Sequence, residues 1–304
     1  MEKMKKDLFI MAGAMIAALS LGACSEDDTH GVDLSKPISL SFQPAAVVTK
    51  ATVGVAADAS FETNDKVGVY VDNAGYNNVC FTNTDNGNWT AAQTMYWPDA
   101  STYTFRAYYP YMETVSNVVT LPENQSGKAA FTAADRMWAG VSQAATNSAI
   151  SLTLQHKMSL LKLDITAGPS MSLDAIRRMK PAILGTIPST GTWDLTTGEI
   201  TFPAEGSSTL TSIEPYRVDN GTSLTYYALV MPGTKFEYGK KFFSLRDGGT
   251  TYSYMLNITD GFTAGASEYC DLDLTVHRTH ISISGFNIDE WKAGTTGKGD
   301  VTME

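Results

Sequence analysis

Tyr103-Thr104-Phe105-Arg106-Ala107-Tyr108-Tyr109-Pro110 decides the fold class. Tyr103, Phe105 and Ala107 alternate with Thr104 and Arg106, and a period of two puts the apolar set on one face of a β-strand. The rhythm recurs outward from there. Ile150, Leu152 and Leu154 alternate with Ser151, Thr153 and Gln155; Ile38, Leu40 and Phe42 alternate with Ser39, Ser41 and Gln43; Tyr252, Tyr254 and Leu256 repeat it later. Turn sequences separate such runs: Asp85-Asn86-Gly87-Asn88, Asp219-Asn220-Gly221 and Asp247-Gly248-Gly249, where Asn and Gly tolerate positive φ. Between residues 30 and 304 the best helical stretch is short, Leu173 to Met179, and ends before Pro181. Many short strands with these turns predict an all-β protein built of β-sandwiches.

The 304 residues suffice for two domains, each with its own core. The boundary is placed near Ala167-Gly168-Pro169-Ser170, giving domains at 37–168 and 169–304. Hydrophobic content of 43% against 18% charged marks a folded chain. With 22 basic and 32 acidic residues the net charge is −10. An acidic surface repels phosphate backbones, which argues against a nucleic-acid partner.

Residues 1–23 read as an export signal. Lys3, Lys5 and Lys6 precede an apolar run from Phe9 to Leu21, too short for a membrane span of ~20 residues. Leu21-Gly22-Ala23-Cys24 follows. It resembles the bacterial lipobox, in which the cysteine sulfur is acylated, so Cys24 is the candidate lipidation residue and the outer membrane the expected anchor. Several acyl chains hold firmly at ~0.8 kcal/mol per buried methylene. Ser25-Glu26-Asp27-Asp28 opens an acidic linker, 24–36, similar to the signal that sends some lipoproteins of Gram-negative cells to the outer face. Cys80 and Cys270 remain. Cys270 falls on the apolar face of Cys270-Leu272-Leu274-Val276, as a small buried hydrophobe would.

Five motifs occur in order in the first half. Phe61-Glu62-Thr63-Asn64-Asp65-Lys66-Val67-Gly68-Val69-Tyr70 comes first. Met95-Tyr96-Trp97-Pro98 precedes the opening octapeptide, and Asp135-Arg136-Met137-Trp138-Ala139 and Leu154-Gln155-His156-Lys157-Met158-Ser159 complete the set. Together they resemble the fimbrillin family, subunits of type V pili. The later half matches more loosely, through Gly191-Thr192-Trp193-Asp194 and Ile288-Asp289-Glu290-Trp291. The resemblance implies two transthyretin-like β-sandwich domains in tandem and no enzymatic activity. The aromatics Tyr96, Trp97, Tyr103 and Phe105 fit core packing; a glycan platform would need several of them exposed on one patch.

In pilins of that family a protease cuts beyond the first strand, after a basic residue. Here Lys50-Ala51 occupies that position, where many pilins carry Arg; an ordinary exposed loop lysine is the other reading. Cleavage would delete the strand bearing Ile38, Leu40 and Phe42, baring an apolar groove and an unpaired edge. A strand from another pilin subunit could fill it and propagate an open filament. The candidate donor carries Ile281, Ile283, Phe286 and Ile288; equally, it is the last strand of its own domain. A permanently lipid-anchored surface lipoprotein of the same fold, binding a host glycan or protein, is the alternative function.

The sequence holds no Gly-x-Ser-x-Gly elbow, His-Glu-x-x-His pair, Walker loop or dinucleotide fingerprint, so no catalytic residue, cofactor or metal is expected. His156 reads as structural. His277 and His280, three apart on an expected strand, would point to opposite faces. Asp271 and Asp273 share the polar face of one strand.

Overall fold

The computed structural model describes residues 31–45, 60–85, 87–202 and 208–290. The export signal, Cys24, Lys50 and Ala51 lie outside the described residues.

In chain order the strands begin with β1 (Leu40–Pro44), β2 (Lys66–Val71), β3 (Tyr76–Asp85), β4 (Asn88–Ala91), β5 (Thr102–Tyr109) and β6 (Val118–Thr120). Helix α1 (Lys128–Ala134) precedes β7 (Met137–Ala144), β8 (Ile150–His156) and β9 (Ser159–Ala167). After α2 (Leu173–Arg178) come β10 (Lys180–Pro188), β11 (Thr190–Trp193), β12 (Ile200–Thr201), β13 (Thr209–Ile213), β14 (Tyr216–Asp219) and β15 (Leu224–Val230). The last are β16 (Thr234–Phe236), β17 (Lys241–Asp247), β18 (Thr250–Met255), β19 (Phe262–Ala264), β20 (Glu268–Val276) and β21 (Ile281–Glu290).

The protein is all-β. Seven strands form the first sheet in the order β1-β8-β7-β5-β2-β3-β4. The largest later sheet runs β14-β15-β9-β20-β21, facing a second sheet, β13-β10-β17-β18. The three turn sequences behave as their residues require. Gly87, Gly221 and Gly248 take positive φ in the β3–β4, β14–β15 and β17–β18 hairpins.

Alternation in β5 sorts its side chains between two cores. Tyr103, Phe105, Ala107 and Tyr109 enter a core with Leu40, Phe42, Val67, Val69 and Leu152. Tyr108 points the other way, into a second core, and meets Trp193 of β11 edge to face at 5.7 Å. The β11–β12 turn lies on the back of the first sheet: the Trp138 indole donates to the Leu195 carbonyl at 3.0 Å. A Cβ on Gly198, which has φ +78°, would sit 2.5 Å from that indole.

Leu154 belongs to the first core and Met158 to the second. Strand β9 is central in the later sheet, antiparallel to β15 and parallel to β20. Leu160, Leu161, Leu163 and Ile165 are buried there. Val119, Leu121 and Phe131 also join the second core, although they precede β7 in the chain.

Helix α2 starts where Ser172 caps it, its Oγ accepting from Ala175 N at 3.2 Å. Helix α1 is an addition to the sequence reading. Its Lys128-Ala129-Ala130-Phe131-Thr132-Ala133-Ala134 has good helix formers but no side-chain cap, and it is held by burial of Phe131 and Ala134.

Candidate functional site at the first strand

β1, Leu40-Ser41-Phe42-Gln43-Pro44, is an edge strand, and Ile38-Ser39 lead into it. Leu40 and Phe42 are each 6% exposed, and Ile38 packs half-buried against the same core. Its polar residues face out. Ser41 and Ser151 hydroxyls share a 2.8 Å hydrogen bond, and Gln43 Nε2 donates to Thr153 Oγ1 at 2.9 Å. The alternation thus divides this strand as its sequence requires.

The pairing is parallel, in register Leu40↔Ile150 to Pro44↔Leu154. Hydrogen bonds continue at both ends: Ile150 N donates to Ser39 O at 2.9 Å, and Ala45 N to Leu154 O at 2.8 Å. Before the ladder starts, Ile38 N donates to Met95 O at 2.8 Å and Pro37 bridges to Tyr96.

β4 is the opposite rim of the same sheet. Phe42 reaches across and meets Trp89 of β4 at 4.8 Å and Phe81 of β3 at 5.2 Å, both edge to face. Phe61 extends the cluster, 5.3 Å from Trp89 and 5.1 Å from Tyr109. The rims therefore meet through side chains where no ladder joins them. A cleft of about 610 Å³ remains at this seam, lined by Phe42, Gln43, Pro44, Phe61, Asn83 and Trp89.

Two of the sequence motifs converge on the end of β1. The His156 ring is buried; its Nδ1 lies 2.9 Å from Asp135 Oδ2 and its Nε2 3.3 Å from the Ala45 carbonyl. The link of His156 to the first strand was not legible in the sequence, because only the fold brings residues 45, 135 and 156 together. Nearby, the Tyr109 hydroxyl donates to Asp65 Oδ1 at 3.0 Å, and burial raises both the Tyr109 phenol and the Asp65 carboxyl above their ordinary values.

The candidate donor residues form β21, paired antiparallel with β20 from Val276↔Ile281 to Glu268↔Glu290. Ile281 is buried, Ile283 and Phe286 pack on the second core, and Phe286 lies 5.2 Å from Phe262. Ile288 is 38% exposed.

Other side chains of interest fall elsewhere. Trp97, Tyr103 and Phe105 are core residues, whereas Tyr96 is exposed. Cys80 and Cys270 are unbridged thiols, and burial pushes Cys270 well above the ordinary thiol value. His277 and His280 overturn their sequence reading. They sit in the β20–β21 turn, not on a strand, with rings stacked at 4.4 Å. Carboxylate oxygens of Asp164, Asp271 and Asp273 cluster within 4.8 Å. Lys162, nearly buried, supplies the positive charge there, its Nζ 2.6 Å from Asp164 Oδ2 and 3.0 Å from Asp271 Oδ2.

An all-β chain whose first strand closes a seven-stranded sheet from its rim is the class that this geometry defines. The family model described as fimbrillin-like matches residues 49–291, and the chain belongs to the fimbrillin-like family. It is 27% identical to a Bacteroides uniformis protein named as a fimbrium subunit, Fim1C, over 97% of this chain and 98% of that one. A solved structure from Bacteroides ovatus, described as a cell adhesion protein, aligns with a TM-score of 0.67 at 18% identity, covering 86% of this chain and 99% of its own. Another so described, from Bacteroides uniformis, gives 0.62 at 23% identity, covering 84% and 98%. At such identities these structures speak for the fold.

Proposed function

We propose that this chain is a structural or accessory subunit of a type V pilus on the cell surface, assembled by strand exchange. It would reach the outer membrane as a lipoprotein acylated on Cys24. Cleavage between Lys50 and Ala51 would then free it and remove β1. The two-domain, transthyretin-like division belongs to the same proposal.

The supporting observation is the position of β1: an edge strand, paired among the described residues to β8 alone, with its apolar side chains in the core. Leu40 and Phe42 each contribute ~1.5–3 kcal/mol by burial. Losing them would expose Leu152, Leu154, Phe81 and Trp89 to water, and the β8 edge would lack its partner. Parallel pairs are slightly weaker per residue than antiparallel ones. An incoming antiparallel strand would therefore fill the groove at least as well as β1 does.

The source of that strand is constrained by β21. Nine of its ten residues are paired along β20, all but Ser284, so Ile281, Ile283, Phe286 and Ile288 could be donated only if that ladder opened. This favours an accessory or terminal position, or the permanently anchored lipoprotein, over a shaft subunit that donates β21.

The test is the intact mass of the protein isolated from the cell surface. The proposal expects an N-terminus at Ala51, and multimer ladders that disappear in Lys50→Ala. A retained acylated Cys24 in every molecule would refute processing and leave the anchored reading.

A further inference from the structure

β10 pairs with β17 only from Lys180↔Arg246 to Ile183↔Phe243. Past Ile183 the strands part. β10 shifts register between Leu184 and Ile187 on its β13 side, and β17 shifts between Lys241 and Phe243 on its β18 side. Bulges of this kind bend strands and re-aim side chains. The result is a cleft of about 390 Å³ with Phe236, Phe242 and Leu256 in its wall and Lys235, Lys240 and Lys241 around it.

The walls are fixed from behind. Phe236 and Phe242 meet edge to face at 5.0 Å, and Phe262 lies 5.0 Å from Phe236. The turn bearing Lys240 is pinned to the end of β18: Gly239 N donates to Leu256 O, and Leu256 N to Lys240 O, each at 2.8 Å. Gly185 allows β10 to pass close to the wall, since a Cβ there would lie 3.2 Å from the Phe236 ring. The cleft walls are thus held by contacts within the fold.

Its charge runs against that of the molecule. The chain has a net charge of −10, yet three lysines gather here beside one carboxylate, Glu237. None of the three forms an ion pair among the described residues. On the same turn Tyr238 is 59% exposed, an aromatic face of the kind on which a sugar ring packs.

We infer that this cleft binds an acidic oligosaccharide, a sugar chain bearing carboxylate or sulfate groups. Three lysines drawn from β16, the following turn and the start of β17 offer several cationic partners to a chain of repeated anions. A nucleic-acid duplex would carry its phosphates onto the acidic remainder of the surface. The site needs neither removal of β1 nor polymerisation, so it stands independently of the assembly proposal.

The experiment is calorimetric titration of the purified full-length protein with oligogalacturonate, and with a neutral galacto-oligosaccharide of the same length. Binding of the acidic sugar alone is expected. It should weaken about tenfold or more in K235Q/K240Q/K241Q, equal to ~1.4 kcal/mol or more, and persist in K235R/K240R/K241R. All six changes are at exposed positions, and K235Q alone should show a partial loss if the triple variant is unstable. The inference is overturned by no acidic-sugar binding, by equal binding of the neutral sugar, or by no effect of the glutamines. Equal competition by sulfate ion would also overturn it, leaving only an anion patch, as would a short DNA duplex binding as tightly.

Discussion

Replacing Phe42 by alanine probes the strand on which the account rests. The ring is 6% exposed and wedged against Trp89 and Phe81. Phe→Ala in a core costs ~3–5 kcal/mol, combining lost transfer energy with the cavity left behind. Here the new space adjoins the 610 Å³ cleft at the seam. Water can enter, so the lower end, about 3 kcal/mol, is expected. That is a large share of the ~5–15 kcal/mol typical of a folded protein. Urea unfolding followed by tryptophan fluorescence measures it, with Trp89 as a reporter in direct contact. Ser41→Ala is the matched control. It removes one outward hydroxyl contact, to Ser151, and should cost less than about 1 kcal/mol. A Phe42→Ala loss no greater than the control's would refute the claim that β1 seals this core.

Three further outcomes follow from packing and charge. Gly68→Ala should destabilise by ~1–3 kcal/mol in the same assay, because the new Cβ would fall 2.2 Å from the buried Tyr108 ring. Lys162→Met should cost ~3–5 kcal/mol at neutral pH by stranding the Asp164 and Asp271 carboxylates. That loss should shrink on acidification, since protonating the carboxyls removes the unpaired charge; a pH-independent loss would contradict it. Arg177 and the Gly221 N–H hold Asp219 down from 3.8 to about 2. A depressed carboxyl stabilises above its unfolded value, and the benefit fades as pH falls toward the folded one. Thermal melts should therefore separate wild type from Asp219→Asn above about pH 4 and converge toward pH 2; parallel curves would count against the pairing.

Much of the fold is legible because a period of two is a direct record of sheet faces. Ile38, Leu40 and Phe42 already distinguish an inner from an outer side, and β5 does so with one exception, Tyr108. That residue is buried on the opposite face because β11 covers the back of the sheet, and no local pattern carries that information. The partner and direction of β1 are likewise non-local: Leu40 meets Ile150 across more than a hundred residues. The change of core between Leu154 and Met158 leaves no local signal: Gly168-Pro169 is the strong break in the sequence, and it ends β9, a strand of the later sheet. His277 and His280 looked like strand residues because apolar alternation brackets them; the hairpin between β20 and β21 falls there instead. The Lys235–Lys241 cleft was invisible, since splaying of two strands leaves no periodic trace.

Exchange at the β8 edge can be observed directly. Protein cut between Lys50 and Ala51, with the N-terminal piece removed, should bind a synthetic peptide spanning residues 37–45 in the vacated groove, whereas the uncut protein, whose own strand fills it, should not. A cut protein that stays folded and takes up no peptide would contradict the account.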